Sequence, residues 1–149
     1  MIILIASDHA GFELKGILRT YLEGEGHEVR DLGVDSETSV DYPDFAHRLA
    51  AGIGSGEGGL GILICGTGIG MSMTANRHPG VRAALCHDAY TAEMARRHND
   101  ANVLCMGGRV LGAGVAEQVA DVFLGTAFEG GRHQRRVDKI EIEAKGDGR

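Results

Sequence analysis

The chain has 149 residues, 43% of them hydrophobic, and a formal net charge of -6. That length suits one domain with a sizeable core, read as 1–149, and the net negative charge argues against a general nucleic-acid binder. Residues 1–6 are apolar but reach Asp8 and His9 at once, with no basic flank and no membrane-length run, so neither an export signal nor a membrane span is expected.

Ile2 to Ala6 reads as a first strand, and Leu14, Ile17, Leu18, Tyr21 and Leu22 then recur at helical spacing until Gly24 and Gly26 break the pattern. Val29 to Leu32 gives a weaker second strand. Pro43 suits the first turn of a helix whose apolar face is Phe45, Ala46, Leu49, Ala50 and Ile53, and the Gly-Ser stretch at 54–59 ends it. Leu60 to Cys65, Val81 to Cys86 and Val103 to Met106 read as strands three to five, separated by helical segments at 69–76 and 89–98. Val115, Val119, Val122 and Phe123 mark another helix, and Arg132 to Ala144 reads as a last, charged one. The alternation predicts an α/β fold: a single Rossmann-like domain, a five-stranded parallel sheet with helices on both faces, and an extra C-terminal helix. Three cysteines, Cys65, Cys86 and Cys105, form no C-x-x-C pair, which points to reduced thiols in a cytoplasm.

The most informative stretch is Gly61 to Ser72, where a buried apolar run ends on Cys65 and Thr67 and opens into alternating glycines at Gly66, Gly68 and Gly70. Glycines let backbone amides converge on an anion, and a helix beginning near Ile69 would aim its positive end at the same point. A thiolate beside such a nest can take a proton from carbon while the amides hold the oxyanion that forms, which outlines enolisation chemistry.

Ligands in open parallel sheets sit beyond the carboxyl ends of the strands. The polar residues there are Ser7-Asp8-His9, Cys65-Gly66-Thr67, Cys86-His87-Asp88 and Gly107-Gly108-Arg109. Arg132 and Arg136, four apart on the final helix, suit a phosphate. Blander roles compete. A buried cysteine is usually packing, Asp8 can cap a helix, and His98 with Asn99 can close one favourably. His27, His47, His78, His87 and His133 show no metal-ligand spacing, so no metal is expected.

Six segments together carry a resemblance: Asp8-His9-Ala10-Gly11, Asp41-Tyr42-Pro43, Cys65-Gly66-Thr67-Gly68-Ile69-Gly70, Arg97-His98-Asn99-Asp100, Gly107-Gly108-Arg109-Val110 and Gly130 to Val137. In this order and register, to about Ile140, they resemble the type B ribose-5-phosphate isomerases, within the group that includes galactose-6-phosphate and allose-6-phosphate isomerases. A branch of that family without the cysteine uses a glutamate base a few residues later. Here Cys65 is present and the later positions are Met73 and Thr74.

The resemblance implies an aldose–ketose isomerase that interconverts ribose 5-phosphate and ribulose 5-phosphate through a cis-enediolate, as in the pentose phosphate pathway, or a six-carbon counterpart. It implies Cys65 as the base, Thr67 as a proton shuttle and His98 as the acid that protonates the ring oxygen. Asp8 and Tyr42 would bind hydroxyls, Gly66, Gly68 and Gly70 with Asn99 would hold the enediolate, and His9, Arg132, Arg136 and Arg109 would take the phosphate. It further implies no cofactor and a homodimer or homotetramer with sites shared between subunits.

Three other readings compete. A dinucleotide fingerprint starting at Gly66 would need a third glycine where Met71 stands, and a cysteine-phosphatase loop would need an arginine at that same position. A non-catalytic sugar-phosphate sensor could use the same arginines and amides, but it would need neither Cys65 nor Thr67.

Overall fold

Apolar runs too short for helices become the central strands of one parallel sheet. The computed structural model describes residues 1–142 and orders the elements as β1 (Ile2–Ser7), a 3-10 turn (His9–Gly11), α1 (Phe12–Gly24), β2 (Glu28–Asp31), α2 (Tyr42–Ser55), β3 (Leu60–Cys65), α3 (Ile69–Ala75), β4 (Ala83–Leu85), α4 (Ala89–Asn99), β5 (Val103–Gly107), α5 (Ala113–Gly125) and α6 (Arg132–Asp138). The sheet order is β2-β1-β3-β5-β4, with every pairing parallel. The α/β architecture expected from the sequence is the one found.

The three central strands are buried on both faces, which is why β1 and β3 read as continuous apolar runs. On one face Ile3, Ile5, Ile62, Ile64, Leu104 and Met106 pack with α1, α4 and α5. On the other, Leu4, Ala6, Leu63, Cys65, Val103 and Cys105 pack with α2 and α3. Leu18, Leu22, Leu49 and Phe123 are fully buried, and each such side chain contributes roughly 1.5–3 kcal/mol of transfer free energy. No helix among the described residues is long and apolar enough to cross a membrane.

This distribution positions the site. The chain leaves β1 and β5 toward α1 and α5 on one face but leaves β3 toward α3 on the other, so the loop after β3 diverges from the loops on both sides of it. A crevice at the carboxyl end of β3 follows.

The second strand runs one residue earlier than expected, at Glu28–Asp31, and two elements are clearly shorter than expected. Val81 and Cys86 are buried, but β4 is confined to Ala83–Leu85 at the sheet's edge. There the Asn76 side chain takes the place of an outer strand, accepting from Ala83 N–H at 2.8 Å and donating to Ala83 C=O at 2.9 Å. The last helix stops at Asp138 instead of running to Ala144. Lys139 N–H bonds Arg136 C=O and Ile140 N–H bonds Val137 C=O, tightening the final turn, and Glu141 then accepts a hydrogen bond from Gly80 N–H at 3.0 Å. Residues 143 and 144 lie outside the described residues.

Candidate active site

Three loops interlock at the carboxyl ends of the central strands. Gly108 N–H donates to Cys65 C=O at 2.8 Å, Arg109 N–H to Gly66 C=O at 3.1 Å, and Asp8 N–H to Ile64 C=O at 3.2 Å. The packing is close enough to demand glycine. A Cβ on Gly11 would sit 2.4 Å from Ile64 O, and one on Gly108 would sit 2.8 Å from Ala10 O. Backbone thus fixes the β1, β3 and β5 loops against one another.

Within this frame Cys65 is 5% exposed at the last residue of β3. Gly68 N–H donates to its sulfur at 3.1 Å, a contact that stabilises negative charge on the thiol. Gly68 has φ +82 and fills its space completely, since a Cβ would meet Leu85 Cδ1 at 2.6 Å and the Met106 carbonyl carbon at 2.9 Å. The exposed Thr67 accepts from Ile69 N–H at 3.3 Å, which ties its hydroxyl to the first turn of α3. α3 has only seven residues, so nearby amides, not a long helix dipole, supply most of the positive field. The amides of Gly70 and Met71 fall in its unpaired first turn.

Burial pushes the other two thiols, Cys86 and Cys105, up, and the neighbouring thiols add to the effect at Cys105, so both stay protonated and inert. Three free, buried cysteines agree with the expectation of reduced thiols.

The structure brings several predicted residues to this crevice. Asp8 is buried and accepts from Gly11 N–H at 3.1 Å, so it does cap the 3-10 turn, while its position after β1 keeps it beside β3. His9 Nδ1 accepts from Val40 N–H at 3.2 Å, which makes Nδ1 the acceptor nitrogen and leaves Nε2 uncommitted by this bond. Tyr42, 40% exposed, lays its ring on Gly70, where a Cβ would come within 2.6 Å of the ring carbons. Arg109 runs past Gly66, with its Nη1 3.5 Å from where a Cβ would stand.

Other predicted residues are not brought there. His98 and Asn99 end α4, which descends from the carboxyl end of β4 to the amino end of β5. Asn102, three residues beyond Asn99, accepts from Gly61 N–H at the start of β3. Four residue steps along β3, about 13 Å at ordinary strand rise, separate that point from Cys65. Arg132 and Arg136 share this far end, because α6 packs on α4. One hollow of about 530 Å³, lined by Arg77, Arg82, Asn99 and Ile140 among others, takes in Asn99 but not Cys65.

Sequence reasoning missed two residues at this far end. His133 is buried with its ring stacked on His98, centroids 4.2 Å apart and planes 12° apart, and Glu129 lies at the edge of both rings. Their separation of 35 residues gave no local pattern. Only the basic run containing His133 hinted at a shared surface.

Residues 3–140 match the family model described as Ribose/Galactose Isomerase. The chain belongs to the ribose/galactose isomerase family. It is 46% identical to Escherichia coli ribose-5-phosphate isomerase B, over 93% of both chains. A Thermotoga maritima ribose 5-phosphate isomerase structure superposes with TM-score 0.92 at 55% identity, covering 93% of this chain and 96% of its own. Mycoplasma genitalium ribose-5-phosphate isomerase B, whose structure holds ribulose 5-phosphate, gives TM-score 0.89 at 47% identity over 93% of each chain. Such identity over nearly whole chains makes this an isomerase of that family in fold and in motif order. The far end of the chain, including Arg132 and Arg136, falls within the matched range.

Proposed function

We propose that the protein interconverts ribose 5-phosphate and ribulose 5-phosphate, with Cys65 as the base. The observation that carries the reading is the Gly68 N–H bond to the Cys65 sulfur inside a glycine nest closed by the β5 loop. A sugar-phosphate sensor would gain nothing from an amide aimed at a thiol.

The chemistry is the one that the family resemblance implies for these residues. His98 gives a proton to the ring oxygen, the C1–O4 bond breaks, and the C1 hydroxyl proton is relayed through Thr67 to solvent as the aldehyde forms, leaving Thr67 neutral and His98 to regain its proton from solvent. The Cys65 thiolate then removes the C2 proton. Negative charge moves onto O1, where the amides of the Gly66 to Gly70 loop, with Asn99, hold the cis-enediolate. Thr67 carries the O2 proton to O1, and Cys65 returns its proton to C1. One proton and one double bond have moved, so the reaction calls for no redox cofactor. Asp8 and Tyr42 bind substrate hydroxyls, while His9, Arg109, Arg132 and Arg136 receive the phosphate.

His98, Asn99, Arg132 and Arg136 stand too far from Cys65 to serve it within one chain. We therefore propose a homodimer, or a homotetramer built of such dimers, in which the far end of one subunit completes the crevice of another. Two half-sites at opposite ends of a chain suit an isologous pair, which completes two sites at once. The apolar surface of Ile69, Met73 and Leu85 around the crevice favours burial by a second copy.

The deciding experiment is a coupled assay for pentulose 5-phosphate formed from ribose 5-phosphate by the purified protein, with allose 6-phosphate and galactose 6-phosphate run beside it. Turnover of ribose 5-phosphate with the highest kcat/KM supports the assignment. Faster turnover of a hexose phosphate would reassign the substrate, and binding without turnover would favour the sensor.

A further inference from the structure

At the far end, three side chains that ordinarily would not meet are held in one unit. The His98 ring lies flat on the buried His133 ring, Glu129 Oε1 is 4.0 Å from His98 Nε2, and Glu129 Oε2 is 3.6 Å from His133 Nε2. Glu129 is anchored by its own backbone, since its N–H donates to Arg97 C=O at 3.1 Å in the last turn of α4. Gly130 and Gly131 follow with φ +66 and +55, left-handed conformations that turn the chain directly into α6 and bring His133 under His98.

We infer that Glu129 is a positioning residue for ring opening, holding His98 in the orientation from which it protonates the sugar's ring oxygen. This rests on the isomerase reading above. His98 is partly exposed at a helix end, where an unsupported imidazole would swing among rotamers, and a misplacement near 1 Å can cost about 10²-fold in rate. The His133 face and the Glu129 carboxylate remove that freedom. The carboxylate also answers the local charge. Arg132 and Arg136 lie near His133, and Glu93 is already engaged with Arg97 at 3.1 Å, so Glu129 is the carboxylate that faces both rings. Burial, the neighbouring His98 and Arg132 hold the His133 ring below the ordinary histidine range, so the lower ring of the stack stays neutral and presents a π face to the upper one.

The three donors lie within 4.8 Å of one another, and two histidines with a glutamate also form a familiar zinc set. The stacking argues against that use. Imidazole lone pairs lie in the ring planes, and planes 12° apart send them side by side instead of converging on one ion.

The test exploits a difference between the two sugars. Ribose 5-phosphate is mostly a closed ring, whereas ribulose 5-phosphate cannot form its five-membered ring because the phosphate occupies O5. Initial rates are measured against enzyme concentration in both directions for wild type, Glu129→Gln and Glu129→Asp, with melting curves for each. Wild type should stay proportional in both directions. Glu129→Gln should need roughly tenfold more enzyme from ribose 5-phosphate and then flatten at the uncatalysed ring-opening rate, while staying proportional from ribulose 5-phosphate. Glu129→Asp should recover part of the slope. Proportional rates for Glu129→Gln in both directions, whether at wild-type level or equally depressed, overturn the inference alone. Absence of wild-type turnover in both directions overturns the isomerase reading and the inference with it.

Discussion

Cys65 closes β3 at its carboxyl end and His98 closes α4 beside the amino end of the same sheet, so one chain holds the two at opposite poles. The separation follows from topology. A helix after a parallel strand must run back to the start of the next strand, so residues in its last turn lie far from the strand ends that carry the crevice. Under the proposed mechanism, cooperation between this thiol and this imidazole would call for a second chain.

Mixing inactive Cys65→Ala and Arg136→Ala proteins after mild dissociation should restore activity. Each hybrid dimer would carry one site with both residues intact and one with neither. Subunit exchange is verified by native mass spectrometry. Hybrids that form but stay inactive would put each site within a single chain.

Cys65→Ala should fold normally and lose about 10²–10⁴ in kcat, the usual worth of a general base. Iodoacetamide should inactivate the wild type, and ribose 5-phosphate should slow this. Because burial keeps Cys86 and Cys105 protonated, Cys86→Ala and Cys105→Ala should leave the inactivation rate unchanged.

A four-carbon phosphorylated hydroxamate places a planar, partly anionic unit where C1 and C2 of the enediolate would lie. It should bind at least ~10² more tightly than substrate, and the carboxylate lacking its second oxygen should bind less well. Thr67→Ala should weaken the hydroxamate more than it raises KM. Equal inhibition constants for the two analogues would remove the nest from the mechanism.

Two glycines in the nest should respond differently to the same methyl group. Gly68→Ala forces a positive φ and drives Cβ into Leu85 and the Met106 backbone, so it should lower stability by roughly 1–3 kcal/mol in denaturant titration. Gly70→Ala first meets the half-exposed Tyr42 ring, which can move, so its melting temperature should stay near wild type while KM rises. Matching stability losses would mean that Tyr42 is fixed structurally.

His133 should give the fold a pH dependence. Its folded-state value lies below the ordinary histidine range, chiefly through burial, so between the two values the unfolded chain binds more protons and stability rises with pH. The contribution is fully present above about 6.5 and is lost as pH falls through the folded value. His133→Gln should remove this component, flattening the difference in melting temperature between pH 7.5 and 5.5. An unchanged difference would place the titration elsewhere.

The buried strands and the Cys65 loop were legible in the sequence because their causes are local. Ile2 to Ala6 and Leu60 to Cys65 are apolar without interruption, as strands covered on both faces must be, and the glycines after Cys65 mark a turn whose backbone comes close to its neighbours. The end of α6 was not legible, since the basic run continues past Asp138 while the final turn is tightened by bonds at Lys139 and Ile140. Nor was the His98–Glu129–His133 unit, which depends on α6 docking against α4. Strand order was equally hidden. The long-range return that seats β5 between β3 and β4 leaves no local signature.

Asn76 satisfies both backbone groups of Ala83 along the outer side of β4, and that strand is only three residues long. An open ladder of this kind would otherwise be a template for another chain to add a strand, the usual first step toward uncontrolled aggregation. One asparagine amide, imitating a neighbouring peptide, stops the sheet from growing on that side. Association through this region is thereby directed to side-chain surfaces, which can select their partner, and away from bare backbone, which cannot.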